Sequence, residues 1–510
     1  MNQTRSTASE DAPSQVQRKR LFIGACIALT ATSVAFAVVG DVMGTLKEEF
    51  VLSNLEVGWI GGAALWGFAV SQLIFSPLVD NLGFRFLFRL AFLAHLLGVL
   101  MMILAPGFTA LFLGALIIAI GNGLVEAAGN PLVVTLYPEN KAVKLNQFHF
   151  LFPGGIALGG VAAFFLRQAG VGQLPFIADW QAILALVLIP TILYGFVLLF
   201  DVFPESENVQ AGVTMKEMFK ATFASPLFLL MLFAMFITAS IELGPNRWIP
   251  AVLEAGLDFK GAGILVLAYI NGIMAFLRYY ASEPLVDRLS PTGLLLVSAV
   301  VSGIGLYLFS FAQSTVMAFA TATIFAVGVC FFWPNMLGFV NERIPKSGAL
   351  GLGVMGAAGM AFVGLVTTPM MGDIADRYVP NELPTQATVR VLEQTTETFP
   401  EKKAQVVPDR KPDVQTAIEL SENVLKTYRA QGSLPGVETA NAMRAVIGSG
   451  VESSVIDEAQ SLLGPAENYG GRISFRYIAP FSILLILIFG MILYRDRKTG
   501  GYRVKDIHED

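Results

Sequence analysis

The sequence predicts an all-α membrane protein, with twelve transmembrane helices in two pseudo-symmetric six-helix bundles and a small helical extra-cytoplasmic insert. Three observations carry this. The 510 residues are 54% apolar and only 14% charged, with a mean hydropathy of +0.63; soluble domains run at about 25% charged. Apolar runs near the roughly 20 residues needed to cross a bilayer recur along the chain. A motif repeats at about half the length of the helical core: Pro77-Leu78-Val79-Asp80-Asn81-Leu82 returns as Pro284-Leu285-Val286-Asp287-Arg288-Leu289.

The chain in order reads as follows. Residues 1–20 form a polar N-terminal tail ending in Arg18-Lys19-Arg20. The apolar run behind it is too long for a signal-peptide core and is read as an uncleaved first span. Twelve spans are expected at about 21–45, 56–79, 86–105, 109–136, 147–167, 180–201, 225–245, 262–285, 292–312, 315–340, 349–372 and 477–494. Residues 21–202 make the first bundle, 203–224 a polar amphipathic linker, and 225–377 the first five helices of the second bundle. Residues 378–476 separate the last two spans, and 495–510 form a C-terminal tail.

Within the insert, Val414, Ile418, Leu425 and Tyr428 recur at helical spacing, with Gly432 as the stop. Further helices are expected near Val437–Ile447 and Val451–Leu463, and Pro400–Pro412 should be extended. Lysine and arginine placement sets the orientation. With the N-terminus inside, eighteen such residues fall on cytoplasmic segments and four, Lys47, Arg167, Arg247 and Lys260, on the short outer loops. Both termini are therefore expected in the cytoplasm, and the insert outside it.

Composition also excludes. The net charge of −5 is small and gives no sign of a nucleic-acid partner. The two cysteines, Cys26 and Cys330, lie in apolar spans and argue against a disulfide framework or a cysteine metal site. No phosphate-binding loop, nucleophile elbow or metal cluster stands out, so neither an enzyme, a cofactor, a metal nor ATP as energy source is expected. Two parallel six-span repeats are the architecture of secondary transporters, whose substrate sites lie near the midplane between the halves.

The residues expected to matter are polar groups inside spans. A charge at bilayer depth is costly and marks a functional site by default. Asn122, Glu126 and Asn130 lie four apart on the fourth span and share a face. A carboxyl that alternates between a dry cavity and water can load and release protons, which makes Glu126 the leading proton-coupling residue. Asn122 either binds substrate hydroxyls or bonds helices together, and Asn130 is also placed to satisfy carbonyls freed by Pro131. His149, at the start of span 5, either shares a proton with Glu126 or is a satisfied interface histidine. His95, without a partner in the sequence, reads as structural. Asp41 is either a second coupling acid or an interfacial acid facing water. Glu242 and Arg278 in adjacent spans can pair, or touch substrate.

Trp248 and Trp333 are candidates to line the cavity, with Gln72, Asn271 and Asn335 as further polar contacts. Pro334-Asn335 in span 10 mirrors Asn130-Pro131 in span 4. Asp80, Arg85, Asp287 and Arg288 either form charge pairs that gate the cytoplasmic face or fix topology from solvated loops.

The Asp80…Gly83-x-Arg85 loop resembles the signature of the major facilitator superfamily, with Ser76 for the usual leading glycine and Asn81 for the usual arginine. Within it, Glu126-Ala127-Ala128-Gly129-Asn130-Pro131, Pro138-Glu139 and Leu145-Asn146 are similar to the fourth-to-fifth-span pattern of the fucose/galactose/glucose–proton symporter group, and Glu242, Gly244 and Trp248 to its seventh-span pattern. The resemblance covers residues 20–375 and the last span. It implies alternating access, proton coupling through Glu126 and a first-span aspartate matched by Asp41, a histidine at His149, and a sugar-like substrate. The expectation is thus a monomeric inner-membrane symporter working with a small solute and protons. The alternatives are the same fold carrying a nucleoside, organic acid or drug, or a transporter-like receptor that signals through the insert.

Overall fold

The structure, a computed structural model, describes residues 14–508 apart from 51, 53, 171–176 and 255–261. Most of the N-terminal tail with Arg5, and the loop carrying Lys260, lie outside the described residues. The described residues are all-helical. Ten stretches are long and apolar enough to cross a membrane; one of them, Glu56–Ile103, holds two helices, and Leu265–Tyr280 adds a shorter apolar one, which makes twelve.

The first half comprises α1 (Gln15–Glu49), α2 (Asn54–Phe75), α3 (Val79–Ile103), α4 (Phe108–Leu136), a broken fifth span of α5 (Lys141–His149) and α6 (Leu151–Gln168), and a broken sixth of α7 (Asp179–Ala185) and α8 (Leu188–Leu198). Two short helices, α9 (Glu207–Gln210) and α10 (Met215–Phe223), form the connector. Thr214 and Glu217 cap α10 reciprocally, each side chain accepting from the other's backbone N–H at 3.3 and 2.8 Å.

The second half comprises α11 (Pro226–Glu254), α12 (Ala262–Tyr280), α13 (Ser282–Phe309), a broken tenth span of α14 (Thr315–Val329) and α15 (Phe332–Arg343), and an eleventh of α16 (Gly348–Phe362) and α17 (Thr368–Tyr378) joined by a π-helical turn at Val363–Thr367. The insert adds α18 (Thr385–Lys402), α19 (Lys411–Gln431), α20 (Gly436–Gly448) and α21 (Ser454–Ile478), and α22 (Phe481–Lys498) closes the fold.

The sequence repeat is also a repeat of backbone shape. Gly83 has φ 75°, ψ 155°, and Ser290, at the matching position of the second copy, has φ 61°, ψ 163°. Only glycine visits that region without strain. Ser290 is the sole non-glycine residue at positive φ among the described residues, and its Oγ accepts from Gly293 N–H at 3.3 Å. Ser290→Gly is expected to stabilise the protein by about 1 kcal/mol, read as a raised thermal midpoint in detergent. An unchanged midpoint would mean that the joint is not strained.

The insert is a helical cap with its own apolar core, built from Val391, Leu392 and Phe399 of α18, Val414, Ile418 and Leu425 of α19, Met443 and Val446 of α20, and Leu463 of α21. Gly432, at φ 71°, ends α19 as its spacing implies. Two expectations need correction. Residues 400–412 are not extended: α18 carries Pro400 in its last turn and a 3₁₀ turn follows at Pro408–Arg410. The helix α21 does not stop near 463 but continues to Ile478, so the cap runs into the last span with no break at residue 476. The cap is rooted in the second half. Arg444 pairs with Asp376 of α17 at 2.6 Å and with Glu467 of α21 at 2.8 Å, and Asn468 donates to the Val252 carbonyl of α11.

Candidate functional site

The polar stripe of α4 is buried along its whole length, with Asn122, Glu126 and Asn130 at 1–2% exposure. It serves two networks. Asn122 Oδ1 lies 2.9 Å from His95 Nε2, and His95 Nδ1 lies 3.0 Å from the Tyr194 hydroxyl. An amide oxygen only accepts, so Nε2–H donates to Asn122 and Nδ1 accepts from Tyr194. His95, which the sequence left without a partner, therefore ties α3 to α4 and α8. This engagement places Asn122 inside the first bundle rather than on the cavity wall.

Glu126 and Asn130 form the second network. Asn130 Nδ2 donates to Glu126 Oε2 at 2.5 Å and to the Glu126 carbonyl at 3.0 Å. Asn130 Oδ1 accepts from His149 Nε2 at 2.8 Å. His149 Nε2 is itself 3.9 Å from Glu126 Oε2. One amide thus bridges the carboxyl and the imidazole.

The second half meets this group through Arg278 of α12. Its Nη2 donates to Glu242 Oε1 of α11 at 2.7 Å, its Nε to the Cys330 carbonyl at 2.5 Å, and its Nη1 to the His149 carbonyl at 3.2 Å. Arg278 and Glu242 are 2% and 3% exposed. The expected pairing of these two is present, and Arg278 also crosses between the halves.

Glu126, His149, Glu242, Arg278 and Trp333 line one cavity with Phe68, Phe152, Leu243 and Met360. In this conformation it leaves about 20 Å³, room for one water. A larger cleft of about 380 Å³ opens between α2 and the eleventh span, lined by Trp59, Leu65, Trp66, Met360, Gly364 and Leu365 among others. Met360 borders both spaces, so the cleft and the buried site adjoin at this side chain.

The halves are closed on the face that carries both termini. Glu342 of α15 accepts from the Ala142 N–H of α5 at 3.1 Å and from the Tyr502 hydroxyl of the C-terminal tail at 2.6 Å, while Lys505 N–H donates to the Glu342 carbonyl at 2.9 Å. Burial and the adjacent Glu342 carboxylate hold the Tyr502 hydroxyl well above its ordinary range, so it stays a donor. Arg343 pairs with Asp496 at 2.6 Å and its guanidinium stacks 4.4 Å over Tyr502. Lys141 pairs with Glu207 of the connector at 2.7 Å.

Several expected site residues lie elsewhere. Asp41 pairs with Arg167 at 2.7 Å, near the far end of α1, because an acid at a span boundary finds the nearest basic partner. Trp248 packs beside Gly372 of α17, not on the cavity. Asn271 Nδ2 donates to Leu267 of its own helix at 2.8 Å. Asn335 bonds the Phe331 carbonyl at 2.8 Å and accepts from Asn146 Nδ2 at 3.3 Å, which makes it part of the seam between halves. Gln72 is fully buried against Gly356 in the same seam, and neither amide atom has a hydrogen-bond partner. Asp80 accepts from Ser206 Oγ at 2.5 Å and Arg85 Nε donates to the Asp201 carbonyl at 2.9 Å, so both hold the connector. Asp287 and Arg288 are exposed. Sequence reasoning missed Phe68, Phe152, Leu243 and Met360, which are apolar among many apolar neighbours, and Glu342, which looks like an ordinary helix-end acid.

Two six-span halves around a buried polar cluster, closed on one face and cleft on the other, define a membrane transporter. The family profile of the Major Facilitator Superfamily matches residues 21–368. The chain belongs to that superfamily. Similar solved structures include the E. coli fucose:proton symporter FucP (15% identity, TM-score 0.58, 70% of this chain and 92% of that one) and the proton:xylose symporter XylE (17%, 0.58, 71% and 90%). A bacterial homolog of the human lysosomal transporter Spinster, in an inward-facing conformation, covers 94% of this chain and 99% of its own at 17% identity and TM-score 0.59.

Proposed function

We propose that the protein is a proton-coupled symporter that imports a sugar or similar small polar solute by alternating access, as an inner-membrane monomer with both termini in the cytoplasm. The observation that carries this is the charge count of the buried cluster. It holds two carboxyls, Glu126 and Glu242, one guanidinium, Arg278, and one imidazole, His149, all within one cavity wall. With the imidazole neutral, two carboxylates against one cation leave a net negative charge, and one proton neutralises it. A buried uncompensated charge is costly, so the cluster favours binding a single proton. Glu126 is the carboxyl without the arginine bond, and so the one to take the proton.

The cargo follows from the remaining groups. Each nitrogen of Arg278 already donates to a protein acceptor, which disfavours an anion. Glu242 Oε2 is buried with no hydrogen-bond partner and can accept from a solute hydroxyl. Phe68, Phe152 and Trp333 offer planes for the C–H faces of a sugar ring. Asp80 and Arg85, through the connector, and Asp287 and Arg288, on the opposing loop, are proposed to set the closing of the cytoplasmic face.

Proteoliposome counterflow with a panel of sugars, nucleosides and organic acids tests the reading. Exchange of a sugar, with uptake that rises as the outer compartment is acidified, is expected. Exchange of an organic anion alone would overturn the cargo, and no exchange of any solute would favour a receptor.

A further inference from the structure

The two carbonyls that Arg278 engages share a sequence property. In a helix the carbonyl of residue i accepts from the N–H of residue i+4. Four residues after His149 stands Pro153, and four after Cys330 stands Pro334. Proline has no N–H, so both carbonyls lose their helical donor. At membrane depth such a carbonyl must be satisfied from another element. Arg278 supplies both, with Nη1 on His149 at 3.2 Å and Nε on Cys330 at 2.5 Å. Both prolines are buried in helices of the broken spans, Pro153 in α6 and Pro334 in α15.

We propose that Pro153 is a positioning residue of the transport cycle: by withholding a donor it leaves the His149 carbonyl as the first-half anchor for Arg278. The two carbonyls are not equivalent. Cys330 and Arg278 belong to the same half and move together. His149 belongs to the other half, so its bond to Arg278 has to break when the halves part on the terminus-bearing face. When it breaks, the His149 carbonyl is left without either donor, and that asymmetry stabilises the closed face. Pro334 holds the guanidinium within its own half and has no such effect on the spacing between halves. The inference rests on alternating access, not on the cargo or on proton coupling.

Spin labels at Leu82→Cys and Leu289→Cys test it. These exposed leucines occupy matching positions in the two repeat loops, and the native Cys26 and Cys330 are buried. Pulsed electron–electron resonance then reads the separation of the halves with no substrate present. Pro153→Ala gives His149 its helical donor back and is expected to raise the fraction with separated loops about tenfold, because separation then no longer leaves a buried carbonyl unsatisfied. Pro153→Gly restores the same donor and should give the same shift if the alanine variant does not accumulate. Pro334→Ala is expected to leave the distance distribution as in the parent. An unchanged distribution for both Pro153 variants, or an equal shift from Pro334→Ala, would overturn the proposal, since a mere kink effect does not distinguish the two prolines. Because no solute enters the measurement, its failure is separable from failure of the symport reading.

Discussion

Glu126→Gln is expected to abolish gradient-driven accumulation, by at least about a hundredfold, while counterflow exchange of the same solute stays within a few-fold of the parent. Glutamine keeps the size of the side chain and can still meet Asn130, which bonds Glu126 Oε2 at 2.5 Å. It cannot release a proton. The exchange step needs only that the loaded site face each side in turn, so a permanently neutral residue permits it. Net uptake requires the unloaded site to return, and return is coupled to the proton only if the residue titrates. Uptake and its pH dependence measured in one proteoliposome preparation decide the matter. A glutamine variant that still accumulates solute with the parent's pH dependence would remove Glu126 from the coupling step.

Arg278→Met is expected to have the largest effect on stability, a loss of about 3–5 kcal/mol. It removes the guanidinium from Glu242 at 2.7 Å and strips the donors from the His149 and Cys330 carbonyls. Methionine fills much of the volume but satisfies none of these groups. A carboxylate at 3% exposure with no partner must then take up a proton or draw water inward. Adding Glu242→Gln to Arg278→Met removes the stranded charge and should recover a good part of the loss. The thermal midpoint of each variant in detergent reads both effects. Equal midpoints for the parent and Arg278→Met would show that the bonds of this guanidinium do not stabilise the fold.

The sequence announced the fold clearly because its signals are local and repeated. Span length, apolar runs and the copied Pro-Leu-Val-Asp segment each need only neighbours along the chain, and the twelve helices follow. The central cluster was legible for the same reason: Glu126, Asn130, His149, Glu242, Arg278 and Trp333 are polar or aromatic residues conspicuous in apolar spans. What was not legible depends on which face of a helix turns toward which neighbour. Asn122 and Asn130 have the same spacing to Glu126, yet one meets His95 and the other His149. Asp41 found Arg167 instead of the cavity, a pairing of residues 126 apart in the chain. Helix α18 was overlooked although Thr388, Val391, Leu392, Thr395 and Phe399 recur at helical spacing. Its flanking prolines and charges masked a stripe that becomes apolar only when two threonines turn inward.

The cap carries a mechanical consequence. It is bolted to the ends of α17 and α11, both members of the second half, and its helix α21 leads through Ile478 into the final span. A rigid mast on one of two rocking bodies travels farther at its tip than its base does at the pivot. A binder fixed to that tip would be carried to and fro once per turnover, and one wide enough to brace against the opposite rim would stall the cycle without touching the cargo path.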